Sequence, residues 1–194
     1  MTDEELMLAV CNGDQSAYQT IVKKHLKPIS HYAFRMLGST KDTEDITQET
    51  FLRLWLNAAK WQPQKANLST WLHRITHNLC IDFLRKHGHT YTQSDFEDEL
   101  GETLEIDAAS SIDLTARARV IQRALLELPE SQRSALMLCH FQGFSNKEAA
   151  DIMDISVKAL ESAIARAKRT LREKLGSLIE LGDQPLHPSE QDPV

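Results

Sequence analysis

The chain lacks most of what a membrane protein, a secreted scaffold or a phosphate-binding enzyme requires. None of its 194 residues fall in an apolar run of membrane length, and the opening MTDEELMLAV is acidic, unlike a secretory signal. Membrane insertion is therefore not expected. Cysteine is scarce: Cys11, Cys80 and Cys139 are odd in number, far apart and set in apolar helical patterns. They read as reduced core thiols of a cytoplasmic protein. Glycine is scarce too, and no Gly-rich phosphate loop or nucleophile motif is present. His73 and His77 stand four apart, as in a HExxH helix, but Arg74 occupies the place where that motif needs Glu. With no third ligand in view, no metal and no cofactor is expected, and nothing points to an enzyme.

The formal net charge of −6 argues against nucleic acid until its distribution is read. Residues 1–90 hold 11 Lys/Arg against 9 Asp/Glu, and residues 117–174 hold 11 against 7. Between them, residues 91–116 hold 8 acidic residues and no basic one, and the tail 175–194 holds 4 acidic residues. Two mildly basic bodies are separated by an acidic connector that lacks helical period until about Leu114. The expected organisation is all-α, with an N-terminal helical bundle over 1–90 and a flexible acidic linker over 91–116. A C-terminal helix-turn-helix bundle over 117–176 and a disordered tail over 177–194 complete it. A connector of 26 residues reaches roughly 90 Å fully extended, but as a free coil it averages only roughly 28 Å. DNA contacts one or two helical turns apart are separated by about 34 to 68 Å. The connector permits a grip on two DNA sites but cannot set their spacing, so a larger body would have to hold the two bundles apart.

The N-terminal half reads as helices throughout. Asn12-Gly13-Asp14 is a break with Ser16 as the following cap, Pro28 opens a helix running to Gly38, and Asp42 caps DTEDITQETFLRLWLNAAKW. WQPQKANLS is a loop, after which Ser69 or Thr70 starts TWLHRITHNLCIDFLRK. The helix around Asp45–Trp55 carries more apolar residues than one core face needs. It reads either as an ordinary amphipathic helix or as one whose outer face docks a partner helix. The later helix presents Arg74, His77, Asn78, Arg85 and Lys86, residue types that face DNA well, while Trp71 heads its apolar stripe and reads as core.

The C-terminal stretch LPESQRSALMLCHFQGFSNKEAADIMDISVKALESAIARAKRTLREKL divides into three helices. The first starts at Pro129 and ends at Gln142-Gly143. Ser145 with Glu148 forms a capping box, Asp154-Ile155 a tight turn, and Ser156 caps the last helix. That helix buries Val157, Leu160, Ile164, Ala167, Leu171 and Leu175 and turns Lys158, Arg166, Lys168, Arg169, Arg172 and Lys174 outward. A short helix, a tight turn and a longer basic helix make a helix-turn-helix. A three-helix bundle with merely solvated charges is the plainer reading.

Taken together, DTEDITQETFLRLW, NLSTWLHRITHNLCIDFLRK and the C-terminal stretch resemble, in order and spacing, the bacterial extracytoplasmic-function (ECF) sigma factors over about residues 5–90 and 115–176. The resemblance implies a specificity subunit that directs core RNA polymerase to promoter DNA, commonly held in check by an anti-sigma factor. It implies that Asp45, Ile46, Gln48, Glu49, Phe51, Leu54 and Trp55 lie in the helix that binds the polymerase clamp. It further implies that the loop Gln62–Thr70, with Asn67, Ser69 and Thr70, and the helix with Arg74, His77, Asn78, Asp82 and Arg85 melt and read the −10 element. By the same resemblance, Asn78 would stand where a flipped base is captured. The helix-turn-helix, through Ser145, Ser156, Lys158, Glu161, Ser162, Arg166, Lys168 and Arg169, would read the −35 element.

Two departures stand out. Glu161 and Ala163 occupy positions that are basic in many members, so the −35 sequence does not carry over, and Asp154 replaces a usual turn glycine. Two other readings remain: a stand-alone dimeric helix-turn-helix regulator, and a small helical enzyme or metal protein built on His73 and His77.

Overall fold

The computed structural model describes residues 1–88 and 112–176; the expectations for most of the connector and for the tail lie outside the described residues. Among these, every regular element is helical. The N-terminal half comprises α1 (Asp3–Cys11), α2 (Gln15–Leu37), α3 (Thr40–Asn57), a short 3₁₀ turn over Ala58–Lys60, and α4 (Leu68–His87). The C-terminal half comprises α5 (Ile112–Leu126), α6 (Glu130–Leu136) continued by a π-turn over Met137–Phe141, α7 (Asn146–Met153) and α8 (Val157–Leu175). Helix α5 begins inside the stretch that the charge pattern reads as connector.

Short polar side chains set the helix starts, although not always those expected. The Asp14 carboxylate, rather than Ser16, caps α2 by accepting from the Ser16 and Ala17 amides at 2.8 and 3.1 Å. Ser39 Oγ, rather than Asp42, caps α3 by accepting from the Asp42 amide, and Asn67 caps α4 by accepting from the Thr70 amide at 2.8 Å. In each case the chain turns helical one to three residues earlier than the expected cap or start residue implies. Pro129 stands just before α6 rather than inside it.

Pro28 does not open a helix; it lies within the continuous α2. A proline inside a helix costs about 3 kcal/mol or more. The same helix buries Ile21, Ile29, Tyr32 and Met36 completely, and each such side chain contributes roughly 1.5–3 kcal/mol. One unbroken stripe on both sides of the proline therefore outweighs its cost.

The expected turn chemistry of the C-terminal half is present. Ser145 and Glu148 form the reciprocal capping box, Asp154 adopts the left-handed conformation at φ 56°, and Ser156 Oγ accepts from the Ala159 amide at 3.1 Å.

The two helical domains share part of their packing. One buried cluster, formed by Leu6, Met7, Val10, Ile21, Phe51, Leu54, Leu68 and Leu72, belongs to the N-terminal half alone. The other is continuous across the chain. It joins Tyr32, Met36 and Leu37 of α2 and Leu79, Cys80 and Leu84 of α4 to Leu125 and Leu128, Leu136 and Met137, and Ala149, Ile152, Leu160 and Ile164 of the C-terminal half. At its centre lies Arg133 of α6, fully buried. Its guanidinium donates to the carbonyl of Met36 at the end of α2 and to the carbonyls of Leu126 and Leu128 at the end of α5.

Replacing Ser39 with alanine removes the cap of α3 and is expected to cost about 1 kcal/mol. Urea unfolding followed by far-UV circular dichroism reads that loss, and an unchanged midpoint places the start of α3 elsewhere.

Candidate nucleic-acid interface

The residues that the resemblance assigns to polymerase divide by burial. Helix α3 packs between α2 and α4 because Thr43, Ile46, Thr47, Thr50, Phe51 and Leu54 all turn inward. Ile46, Phe51 and Leu54 are thus core residues that fix the helix, whereas Asp45 and Gln48 are exposed and Glu49 and Trp55 half-buried. Trp55 stands edge-on to Tyr18 at 5.2 Å, and Glu49 pairs with Arg53 at 2.8 Å on the outer surface. Leu52 and Leu56, one turn apart, remain exposed at 49% and 68%. An open apolar groove of about 440 Å³ runs between α2 and α3, bordered by Tyr18, Val22, Leu26, Gln48, Phe51 and Leu52. Leu26, Leu52 and Leu56 were not singled out from the sequence; the readable signal was the surplus of apolar residues in α3.

Helix α4 presents two different faces. Arg74, Asn78, Asp82 and Arg85 are all exposed, and their spacing of four, four and three residues sets them in one stripe. Basic heads flank an amide that can pair bidentately with a base edge. The preceding loop is held by the Trp61 indole, which donates to the Ala66 carbonyl at 3.0 Å. Asn67 is exposed at the helix start, Ser69 half-buried and Thr70 buried. Trp71 is half-buried against the N-terminal core.

The opposite face of α4 is covered, and it contains His77, which was expected at DNA. His77 is 6% exposed; its Nδ1 lies 2.9 Å from the Tyr32 hydroxyl and 3.0 Å from Ser134 Oγ. Tyr32 and Ser134 are themselves 2.8 Å apart, closing a triangle of three polar groups from α2, α4 and α6. His77 falls on this side because it belongs to the stripe of Thr70, His73, Thr76 and Cys80 rather than to that of Arg74 and Asn78. His73 is fully enclosed, with its Nδ1 at 2.8 Å from the Ser69 carbonyl and its ring edge-on to Phe144 at 4.8 Å. Burial pushes both imidazoles down to about 4, with the Arg85 charge adding to the effect at His77. At His73 the Ser69 carbonyl and the Gln142 side chain offset burial in part. Both rings are therefore neutral at pH 7. No group of three or more ligand-type side chains occurs among the described residues.

In the helix-turn-helix, Lys158, Glu161, Ser162, Arg166 and Arg169 are exposed along α8, and Lys168 is half-buried. Ser145 and Ser156 are exposed, but their hydroxyls are engaged in capping. Leu160, Ile164, Ala167 and Leu171 anchor the helix from behind; Val157, expected in that stripe, is instead 39% exposed beside Ile155 at the helix entry. The resulting surface is cationic towards the C-terminal end of α8, with one carboxylate near its start. No described helix is long and apolar enough to cross a membrane.

Sequence profiles match this division. Residues 21–90 match sigma-70 region 2, and residues 118–171 match sigma-70 region 4. The chain is 32% identical over 187 residues to the ECF RNA polymerase sigma factor SigE of Mycolicibacterium smegmatis, covering 90% of this chain and 69% of that protein. It is also 32% identical over 180 residues to the ECF sigma factor SigW of Bacillus subtilis, covering 87% and 94%. Among solved structures it resembles CnrH in complex with the cytosolic domain of CnrY, at a TM-score of 0.66 and 25% identity over 94% of this chain and 99% of that one. It also resembles the sigma factor RpoE in complex with the anti-sigma factor NepR from Bartonella quintana, at 0.64 and 25% over 81% and 96%.

The buried imidazoles set a pH dependence. Between pH 6.5 and about 4 the unfolded chain takes up protons at His73 and His77 that the folded chain does not. Stability is thus complete above 6.5 and falls with acidification, by up to about 1.4 kcal/mol per pH unit for each ring. His25, also held low by burial, adds to the trend. Urea titrations at pH 7.5 and 5 should show the decline, and His77→Gln should make it shallower; a flat profile contradicts the burial.

Proposed function

The chain belongs to the ECF family of RNA polymerase sigma factors, and from that premise we propose how its surfaces divide the work of promoter recognition. Residues 1–90 engage core polymerase and the −10 element, and residues 117–176 engage the −35 element. On α3 the contact to polymerase is made by the outward groups Asp45, Gln48 and Glu49 together with Leu52 and Leu56, at the mouth of the α2–α3 groove. Ile46, Phe51 and Leu54 hold that face in place from beneath. On α4 the stripe of Arg74, Asn78, Asp82 and Arg85 meets promoter DNA, with Asn67 at the entrance. Asn78, flanked by two arginines, is suited to hydrogen-bond a base that has left the stack, while Arg74 and Arg85 position the backbone.

On α8, Arg166, Lys168 and Arg169 meet phosphates, and Lys158, Glu161 and Ser162 lie nearest the base edges. Glu161 favours a cytosine N4 amino group at its position. The protein works in the cytoplasm, where polymerase and promoter meet, as a specificity factor rather than an enzyme. An anti-sigma protein is its counterpart, as for the relatives solved in such complexes. The observation that carries this reading is the occurrence of both sigma-70 regions, in order, on one chain.

Promoter selection from a genomic library with core polymerase, followed by permanganate footprinting, tests it directly. Transcripts should start selectively only when protein and core are combined. Asn78→Ala should reduce open-complex formation by about 5- to 150-fold, as the about 1–3 kcal/mol of a base contact implies. Arg169→Ala should weaken −35 binding evenly across sequences and lower the salt slope by about 1. Sequence-specific footprints by the protein alone, unchanged by core, contradict the proposal.

A further inference from the structure

The entry to α8 carries apolar surface that the packing of the domain does not use. Val157 continues the spacing of Leu160, Ile164, Ala167 and Leu171, all of them buried, yet it stands 39% exposed, and Ile155 two residues before it 36%. The backbone holds both side chains in place. Asp154, in the left-handed region, turns the chain out of α7, and the Ile155 amide donates back to the Ala150 carbonyl at 3.1 Å, the bond of a Schellman turn. Ser156 is then extended, at φ −71° and ψ 154°, and its hydroxyl is engaged in capping α8. Side chains on either side of an extended residue project the same way, so Ile155 and Val157 form one apolar edge. Valine in a helix has a single strongly preferred rotamer, which fixes its methyls before any partner arrives.

Lone apolar residues at a surface are ordinary; what distinguishes this pair is its place. In a helix-turn-helix the first residues of the second helix meet the base edges, and the pair sits at that end of α8. Val157 directly precedes the exposed Lys158 and lies one turn before the exposed Glu161 on the same side of the helix. The apolar edge is therefore continuous with the groups proposed above for base contact, and duplex DNA is the occupant it fits. Val157 has no side-chain donor or acceptor, so hydrogen-bond readout is closed to it. In the major groove the apolar group that distinguishes one base from the others is the C5-methyl of thymine.

We infer that Val157, with Ile155 beside it, is a specificity-determining residue that packs on a thymine C5-methyl in the −35 element. The inference rests on the reading of α8 as the −35 helix, and it adds a second base to the cytosine assigned to Glu161. One helical turn advances about 5.4 Å and one base pair about 3.4 Å. The thymine accordingly lies about one or two base pairs from that cytosine.

Deoxyuridine differs from thymidine only by this methyl. Replacing each thymine of the selected −35 element in turn, and measuring holoenzyme affinity, tests the contact without altering the protein. Affinity should fall about fourfold at the thymine nearest that cytosine, the effect of one buried methyl-sized group, and stay unchanged at the others. Val157→Ala shortens the side chain and leaves a good helix former in the first turn. It should lose the same factor on thymine DNA and nothing more on uracil DNA, so the two changes are not additive. Circular dichroism checks that the variant remains helical.

Uracil without effect at every −35 position overturns the inference. So does a −35 element without thymine, or a uracil effect that persists in full in Val157→Ala. Each of these results leaves the sigma-factor assignment standing, because the holoenzyme still selects promoters. A holoenzyme no more selective than core polymerase would instead remove that assignment, and this inference with it.

Discussion

A single buried cation fixes the way this molecule is put together. The last carbonyls of any helix lack partners within it, and α2 and α5 end close to each other. Arg133 meets both ends at once, its guanidinium shared among the carbonyls of Met36, Leu126 and Leu128. Among the described residues no carboxylate stands at ion-pair distance from it; Glu130 adds only a longer-range attraction. An isolated buried charge is costly, so this arrangement persists only while all three acceptors remain in place. Separation of the halves removes the Met36 carbonyl and opens the surrounding apolar cluster to water in the same step.

The same constraint sorts the polar residues of α4. Those on the Arg133 side, His73 and His77, become neutral, enclosed parts of the packing. Those on the far side, Arg74, Asn78, Asp82 and Arg85, stay exposed to solvent. The face proposed for promoter DNA and the face covered by the C-terminal half thus lie on opposite sides of one helix. A change to one face reaches the other only by rotating or releasing the helix. In α3 the division is similar: Ile46, Phe51 and Leu54 hold the helix, while Gln48, Leu52 and Leu56 stay exposed.

Much of this was legible in the residues themselves. The capping box at Ser145 and Glu148, the left-handed Asp154 and the cap at Ser156 follow from local chemistry, which acts over three or four residues. The helix-turn-helix was accordingly readable almost in full. Two kinds of feature were not. Pro28 signals a helix start by local rules, but the stripe from Ile21 to Met36 is buried on both sides of it, and that burial depends on distant partners. Likewise His77 looks like a surface residue beside Asn78 until Tyr32 and Ser134 are brought to it from 45 and 57 residues away. Sequence periodicity separates the faces of a helix; it does not say which face the other half of the chain will cover. The charge pattern marks the two helical domains but contains no record of the buried cluster they share.

Native-state hydrogen exchange on the full-length chain, followed through increasing urea, tests that shared packing most directly. If Arg133 and its cluster tie the halves together, the slowest amides at the end of α2, in α4 and in α6 will open in one step, with one free energy and one urea dependence. Two groups of amides, one from each half, opening at separate free energies would contradict it.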